Sequence, residues 1–181
     1  RRARELIARE FPQLPVSLSS DVAPQIREYE RTSTTVVNAY IKPLADSYLD
    51  QLAAEIARLG IEAPLFMMLS NGGLTHIAEA KRVPIQLLES GPAAGALAGA
   101  LFGRRSKVDD VLAFDMGGTT AKLAMVEDGE PLIAYEFEAS RAKRFAEGSG
   151  FPVNISTIEL IEIGAGGGSI AAIDALDLLK V

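Results

Sequence analysis

The stretch that most constrains this chain runs from Val111 to Phe137. An apolar run, Val111 to Asp115, ends in an acid and is followed by Met116-Gly117-Gly118-Thr119-Thr120. A second apolar run, Ala121 to Val126, passes through Glu127-Asp128-Gly129-Glu130 into a third, Leu132 to Phe137. Short apolar runs separated by glycine-bearing turns predict strand, turn, strand, hairpin turn and strand. Such a meander needs other elements to cover it. The rest of the sequence alternates helix-like and strand-like segments, so the expected class is mixed α/β.

The first turn carries the sharpest chemistry. A carboxylate at the end of a buried strand is expensive unless it meets a charge such as a hydrated metal ion. Two glycines let backbone approach a phosphate, and successive N–H groups form an anion-binding concavity. The hydroxyls of Thr119 and Thr120 add hydrogen bonds. On spacing alone the same residues equally describe a tight hairpin, with Asp115 capping its own turn. A second glycine run, Gly164-Ala165-Gly166-Gly167-Gly168-Ser169, follows a predicted strand, Ile158 to Ile163. It fits the dinucleotide fingerprint badly, since Ser169 takes the sixth position, and it lacks the lysine of a Walker A loop. It requires a close approach by either a ligand or a neighbouring backbone, and both readings stay open.

Elsewhere, periodicity predicts a helix over Arg2 to Phe11, an extended strip over Val16 to Ser19 and a short helix from the Ser20-Asp21 cap to Tyr29, with Pro24 near its first turn. A long helix is expected from about Thr34 to Leu59, kinked at Pro43 and stopped by Gly60. Leu65 to Leu69 reads as a strand buried on both faces, Ser70 to Gly73 as a turn, and Thr75 to Lys81 as a short polar helix with His76 on its surface. Ile85 to Leu88 reads as a strand, Ala93 to Phe102 as a helix and Arg104 to Asp110 as a charged loop. Ser90-Gly91-Pro92 offers an anion site, although the small residues behind it favour tight packing on a sheet. Arg31 stays open as a carboxylate or phosphate partner. Arg141 to Gly150 is a basic link, and Ser169 to Val181 is open between a helix and a strand pair turning near Ala175. The expected organisation is a helical lead-in, residues 1–62, and a mixed part, residues 63–181, carrying both glycine turns.

Composition removes several alternatives. With no cysteine and a single histidine there is no disulfide framework, thiolate zinc site, cysteine nucleophile or histidine metal cluster. A net charge of -6 and no tryptophan argue against a nucleic-acid partner. No segment has the roughly 18 consecutive apolar residues of a membrane span. Without an initiating methionine or signal peptide, the chain is expected to be a piece of a longer cytoplasmic protein.

Taken together, the motifs resemble one family. Glu30-Arg31-Thr32-Ser33-Thr34-Thr35 with Asn38-Ala39-Tyr40, then Ser70-Asn71-Gly72-Gly73-Leu74, Ser90-Gly91-Pro92-Ala93-Ala94-Gly95, Phe114 to Thr120 and Ile163 to Ala171 occur in the order seen in the hydantoinase A/oxoprolinase family. The resemblance implies an incomplete fragment of a ribonuclease-H-like (actin-like ATPase) fold, a mixed sheet with flanking helices. It implies ATP and Mg2+ as cofactors, with Asp115 as the catalytic residue, orienting a magnesium-bound water or the attacking group and meeting the metal through water. It implies nucleotide binding by Gly117, Gly118, Thr119, Thr120, Gly164, Gly166, Gly167, Gly168 and Ser169. The implied activity is ATP-dependent phosphorylation of a cyclic amide (hydantoin, 5-oxoproline) or a ketone. The implied partners are that small-molecule substrate, the N-terminal half of the same subunit and a hydantoinase B-type subunit or domain. The phosphate loop alone does not separate this from a sugar-kinase-like phosphotransferase or a non-catalytic nucleotide-binding module. The chain departs from the family pattern in lacking the N-terminal Asp-x-Gly-Gly-Thr loop and the Gly-Pro and Ser-Ala-Gly stretch that usually follows the glycine run. It also reads Glu159-Leu160-Ile161-Glu162 where many members have Asp-Ile-His-Thr.

Overall fold

The structure, a computed structural model, describes residues 2–139 and 148–181. Most of the expected basic link, Arg141 to Gly150, lies outside them. The helices are α1 (Arg2–Glu10), α2 (Ser19–Val22), α3 (Glu28–Arg58), α4 (Ile77–Arg82) and α5 (Ser90–Ser106), with a 3-10 turn at Pro84–Leu87. The strands are β1 (Phe66–Met68), β2 (Leu74–His76), β3 (Val111–Met116), β4 (Ala121–Glu127), β5 (Glu130–Pro131), β6 (Ile133–Ala134), β7 (Phe137–Ala139), β8 (Phe151–Val153), β9 (Thr157–Ile158), β10 (Ile161–Ile163), β11 (Ala172–Ile173) and β12 (Leu179–Lys180). The chain is therefore mixed α/β, and it divides into two compact units.

The first unit comprises the described residues of Arg1–Ser90 and Ala134–Thr157. Its core is Val22, Val83, Ile85, Val153 and Ile155, with Val37, Ile41, Leu88 and Phe137 packed against them. Helix α3 starts earlier than periodicity predicts, because Glu28 to Ser33 is polar and shows no apolar repeat. Glu28 and Glu30 in its first turn complement the helix dipole. It continues through Pro43 and ends as expected: Gly60 takes φ +77°, its N–H donates to Ala57 O at 2.9 Å, and the Ile61 N–H donates to Ile56 O at 3.3 Å.

Four local expectations are corrected in this unit. The short helix ends at Val22 instead of running to Tyr29, because Ala23 precedes Pro24 and is forced out of the helical region, at φ -141° and ψ 79°. Leu65 to Leu69 is not buried on both faces: among the described residues β1 pairs only with β2 in an antiparallel hairpin, and Phe66 is exposed. The predicted strand Ile85 to Leu88 is a 3-10 turn opened by Pro84, where the Ile85 N–H donates to Asn38 Oδ1 at 3.2 Å. The predicted helix over Thr75 to Lys81 begins only at Ile77, with exposed His76 ending β2 and capping α4 through Nδ1, which accepts from the Ala78 N–H at 3.2 Å.

Buried polar side chains tie this unit together. Asn38 is fully buried and donates from Nδ2 to Ser17 Oγ at 3.1 Å. Thr34 Oγ1 donates to Glu30 O at 2.8 Å and accepts from the Asn154 N–H at 2.8 Å. Ser70 Oγ lies against the carbonyls of Gln86 and Leu88. Arg31 donates from Nη1 to Gln25 O at 3.4 Å.

The second unit, Gly91–Ile133 with Ile158–Val181, is built on a sheet ordered β10-β4-β3, with β5 also on β4. All its pairings are antiparallel. The Asp128-Gly129 turn has both central residues at positive φ, 52° and 79°, which matches the strand twist of a two-residue hairpin. The expected continuous strands Leu132 to Phe137 and Ile158 to Ile163 are each broken into shorter pieces, the first beside Pro131, which has no N–H to give a ladder. Helix α5 covers one face, with Ala93, Ala96, Ala124 and Ile158 buried together. The other face carries Leu112, Phe114, Met116, Met125, Ile161 and Ile163, all exposed. Of the two readings of the last segment, the strand pair is the one formed: β11 and β12 join through a turn at Asp174 to Asp177.

Candidate functional site

The turn between β3 and β4 is fixed by the register of the two strands. Met116 pairs with Ala121 and Asp115 with Lys122, leaving Gly117 to Thr120 as the connection. The Gly117 N–H donates to Thr120 O at 2.9 Å and closes the turn. Among the described residues, the N–H groups of Gly118, Thr119 and Thr120 donate to no backbone carbonyl. Three successive backbone donors in an exposed glycine turn are what an anion needs.

The second glycine run folds directly onto this turn. Gly167 and Gly168 donate their N–H groups to Gly117 O and Gly118 O, both at 2.9 Å. Gly166 is buried, and a Cβ placed on it would lie 2.7 Å from Gly117 O, Gly118 C and Thr119 N. Its want of a side chain is thus explained by backbone approach. Ser169 closes the run on itself: its Oγ accepts from the Gly166 N–H and its own N–H donates to Gly166 O, each at 2.9 Å. Gly164 stands at the exit of β10. Gly117 to Thr120 and Gly166 to Ser169 therefore form one double turn, with Asp115 exposed at its edge.

A charged row crosses the sheet at the level of Asp115. Asp115 is opposite Lys122 in β4, and Lys122 is opposite Glu162 in β10. Directly opposed residues share a face. This is the face covered by α5, since Ala113 and Ala124, two positions away on their strands, pack against that helix. The Lys122 Nζ lies 3.8 Å from Glu162 Oε1, with the lysine side chain 17% exposed and the glutamate 53%. Sequence reasoning passed over Lys122, although it is the single charged residue between Thr120 and Glu127.

Beside the row is an open cleft of about 250 Å³. Its walls include Gly95, Ala96 and Gly99 of α5, with Asp115, Lys122 and Leu160 from the sheet side. Of the glycines of α5 expected to pack closely on the sheet, Gly99 does so, a Cβ there standing 3.1 Å from Ala113 Cβ, whereas one on Gly95 would meet nothing within 4 Å; Gly103, not singled out from the sequence, is closer still, at 2.7 Å from Val111 Cγ2. Among the described residues no three acidic or histidine side chains converge to hold a metal ion. No helix among them is long and apolar enough to cross a membrane.

Comparison with known proteins gives this geometry a lineage. An uncharacterized protein of Methanocaldococcus jannaschii is 41% identical over 184 residues, covering 100% of this chain and 27% of that protein. The crystal structure of an ATP-dependent caprolactamase from Pseudomonas jessenii superposes with a TM-score of 0.65 at 31% identity, over 95% of this chain and 24% of that one. An acetone carboxylase structure, nucleotide-free, gives a TM-score of 0.72 at 22% identity, over 98% of this chain and 24% of that one. The chain spans about a quarter of the length of these relatives. The hydantoinase/oxoprolinase family model matches residues 31–181, and the chain belongs to that family.

Proposed function

We propose that this chain is the phosphate-binding part of a longer ATP-dependent enzyme subunit, which activates the carbonyl oxygen of a cyclic amide or a ketone by phosphorylation. The observation that carries the reading is the double turn: three successive backbone donors beside a strand-end carboxylate. The ATP-dependent caprolactamase and acetone carboxylase among its structural neighbours support the reaction class. The fold of the whole subunit, on this reading, is ribonuclease-H-like and actin-like, with the present sheet as the second half.

Each residue then has a task. Gly118, Thr119 and Thr120 offer N–H groups to phosphate oxygens, and the threonine hydroxyls add further donors. Gly166, Gly167, Gly168 and Ser169 fix the shape of the turn through the hydrogen bonds described above, with Gly164 leading the chain into it. Asp115 orients a magnesium-bound water or the attacking group. The nucleotide with its metal, when bound, supplies the transferable phosphoryl group and neutralises its charge. Such chemistry depends on positioning and charge more than on covalent participation. The remaining partners are the N-terminal half of the same subunit, bringing a second phosphate loop, and a hydantoinase B-type subunit, in the cytoplasm. The division into a lead-in of residues 1–62 and a phosphate-binding part of residues 63–181 belongs to this same reading.

The test is phosphate release by the full-length protein, with and without hydantoin, 5-oxoproline, a lactam or a ketone. Stimulation by one of these is expected, and Asp115→Ala should lower kcat by about a hundredfold or more. Stimulation by hexoses instead would make it a sugar-kinase relative, and none by any small molecule would leave a non-catalytic module.

A further inference from the structure

We propose that the free edge of β3 takes up a further β-strand from the remainder of the same polypeptide, so that the strand carrying Asp115 lies inside a wider sheet. The proposal rests on the reading of this chain as part of a longer subunit, and not on that of the double turn as a phosphate site. Among the described residues β3 pairs with β4 alone, which leaves its other edge unpaired. The turn shows which groups line that edge. The Gly117 N–H donates to Thr120 O, and bonded and non-bonded pairs alternate along an antiparallel ladder. Asp115, Ala113 and Val111 therefore exchange hydrogen bonds with Lys122, Ala124 and Val126. Leu112, Phe114 and Met116 turn their N–H and C=O groups away from β4. Met125, opposite Leu112, agrees with this phase: its carbonyl accepts the Leu132 N–H at 3.1 Å on the far side of β4. The outward groups of Leu112, Phe114 and Met116 meet no hydrogen-bond partner among the described residues.

An unpaired edge is a template for another strand, and proteins that keep one blunt it with lysine, proline or a bulge. None of these is present in β3: its 6 residues read Val-Leu-Ala-Phe-Asp-Met, in unbroken register with β4. The same three residues leave their side chains open on the uncovered face, Leu112 59%, Phe114 56% and Met116 50% exposed. Open edge and open apolar face are thus continuous. The occupant follows from length and charge. This chain covers 27% of the Methanocaldococcus jannaschii relative, so on the reading above most of the polypeptide lies outside it. A strand from that remainder docks without the loss of translational freedom that a separate partner pays. A second copy fits worse. Asp109 and Asp110 precede β3 and Asp115 lies near its end, so antiparallel self-pairing turns the acids of one copy towards those of the other, each copy carrying a net charge of -6. With the strand added, the backbone on both sides of Asp115 is held by ladder hydrogen bonds, which fixes the carboxylate on a rigid element.

The experiment is residue-resolved amide exchange on the full-length subunit by itself, without nucleotide, at two protein concentrations about a hundredfold apart. Beside it, denaturation midpoints are compared for Leu112→Pro and Leu112→Ala. Protection at Leu112, Phe114 and Met116 should lie within about tenfold of that at Val111, Ala113 and Asp115 at both concentrations. Leu112→Pro should lower the midpoint well beyond Leu112→Ala, because proline removes a ladder donor from an interior strand but none from a free edge. Faster exchange of the outward three by more than that tenfold margin overturns the proposal. Protection that appears only at the higher concentration also overturns it, in favour of a second copy. Protection that needs another subunit does so in favour of a separate partner. A midpoint for Leu112→Pro no lower than for Leu112→Ala counts against it equally, since the Leu112 N–H then has no bond to lose. Should Leu112→Pro fail to fold, the wild-type exchange pattern decides. None of these outcomes touches the phosphate reading, which stands or falls on the nucleotide assays.

Discussion

Gly166 shows how a single hydrogen atom in place of a side chain decides local structure. The atoms a methyl group would meet there are all backbone, and backbone of a closed turn does not yield as a flexible side chain does. Gly166→Ala should therefore destabilise the second unit by about 1–3 kcal/mol, as overpacking does, measurable by urea denaturation. The same substitution at Gly118, where a Cβ meets nothing within 4 Å, is the control. Asp174 makes a different prediction. Lys180 at 2.9 Å, together with the N–H groups of Leu178 and Leu176, holds its carboxyl below the ordinary aspartate range. A depressed carboxylate stabilises the folded state above its unfolded pKa, near pH 4, and that contribution fades as pH falls through the lower folded value. Protection of the β11–β12 amides, measured against their intrinsic exchange rates, should thus fall below about pH 4, and less steeply in Asp174→Asn. Chemistry at this scale was partly legible: Asp115 and both glycine runs stand out as residue types. That the second run serves the first could not be read, because it depends on a pairing between Gly117–Gly118 and Gly167–Gly168 that no local pattern records.

Among the elements, long or strongly bounded segments were readable and short ones were not. Helix α1, the Gly60 stop of α3, and the hairpin of β3 and β4 all follow from periodicity and turn residues. Pro84–Leu87 did not, because an apolar tetrapeptide is equally a strand or a turn until something tertiary chooses. Here the choice falls to Asn38, forty-seven positions away, whose Oδ1 accepts the Ile85 N–H in the core. Asn38→Ala would leave that N–H buried without its acceptor and should lower stability by about 1–3 kcal/mol. The check is a denaturant midpoint shift with unchanged m-value, accompanied by faster exchange at Ile85. An unaltered midpoint would show that the turn is set by Pro84 alone.

For the molecule as a whole, the expectation concerns what this length of chain can do by itself. On the proposed reading the described residues hold one phosphate turn, and phosphoryl transfer requires the triphosphate to be held from both sides. The chain alone should bind MgATP weakly at best and show no turnover, as measured by calorimetry and phosphate release. Activity should appear when an N-terminal half is supplied and vanish again with Asp115→Ala. Micromolar binding and turnover by this chain alone would falsify the two-sided picture. The exposed Leu112, Phe114 and Ile161 on the uncovered side of the sheet make the same point in apolar terms. Patches of this kind are sites of association.

The hydrogen bonds from Gly167 and Gly168 to Gly117 and Gly118 also bear on motion. Two loops stitched backbone to backbone share one set of displacements, so a ligand that pulls on residues 117–119 pulls equally on residues 166–168. From there the chain runs straight into β11, so the hairpin of Ala172–Ile173 and Leu179–Lys180 is the first lever that such a pull would turn. Occupancy of the turn would then be legible at a distance, as a change in that hairpin's protection against solvent exchange.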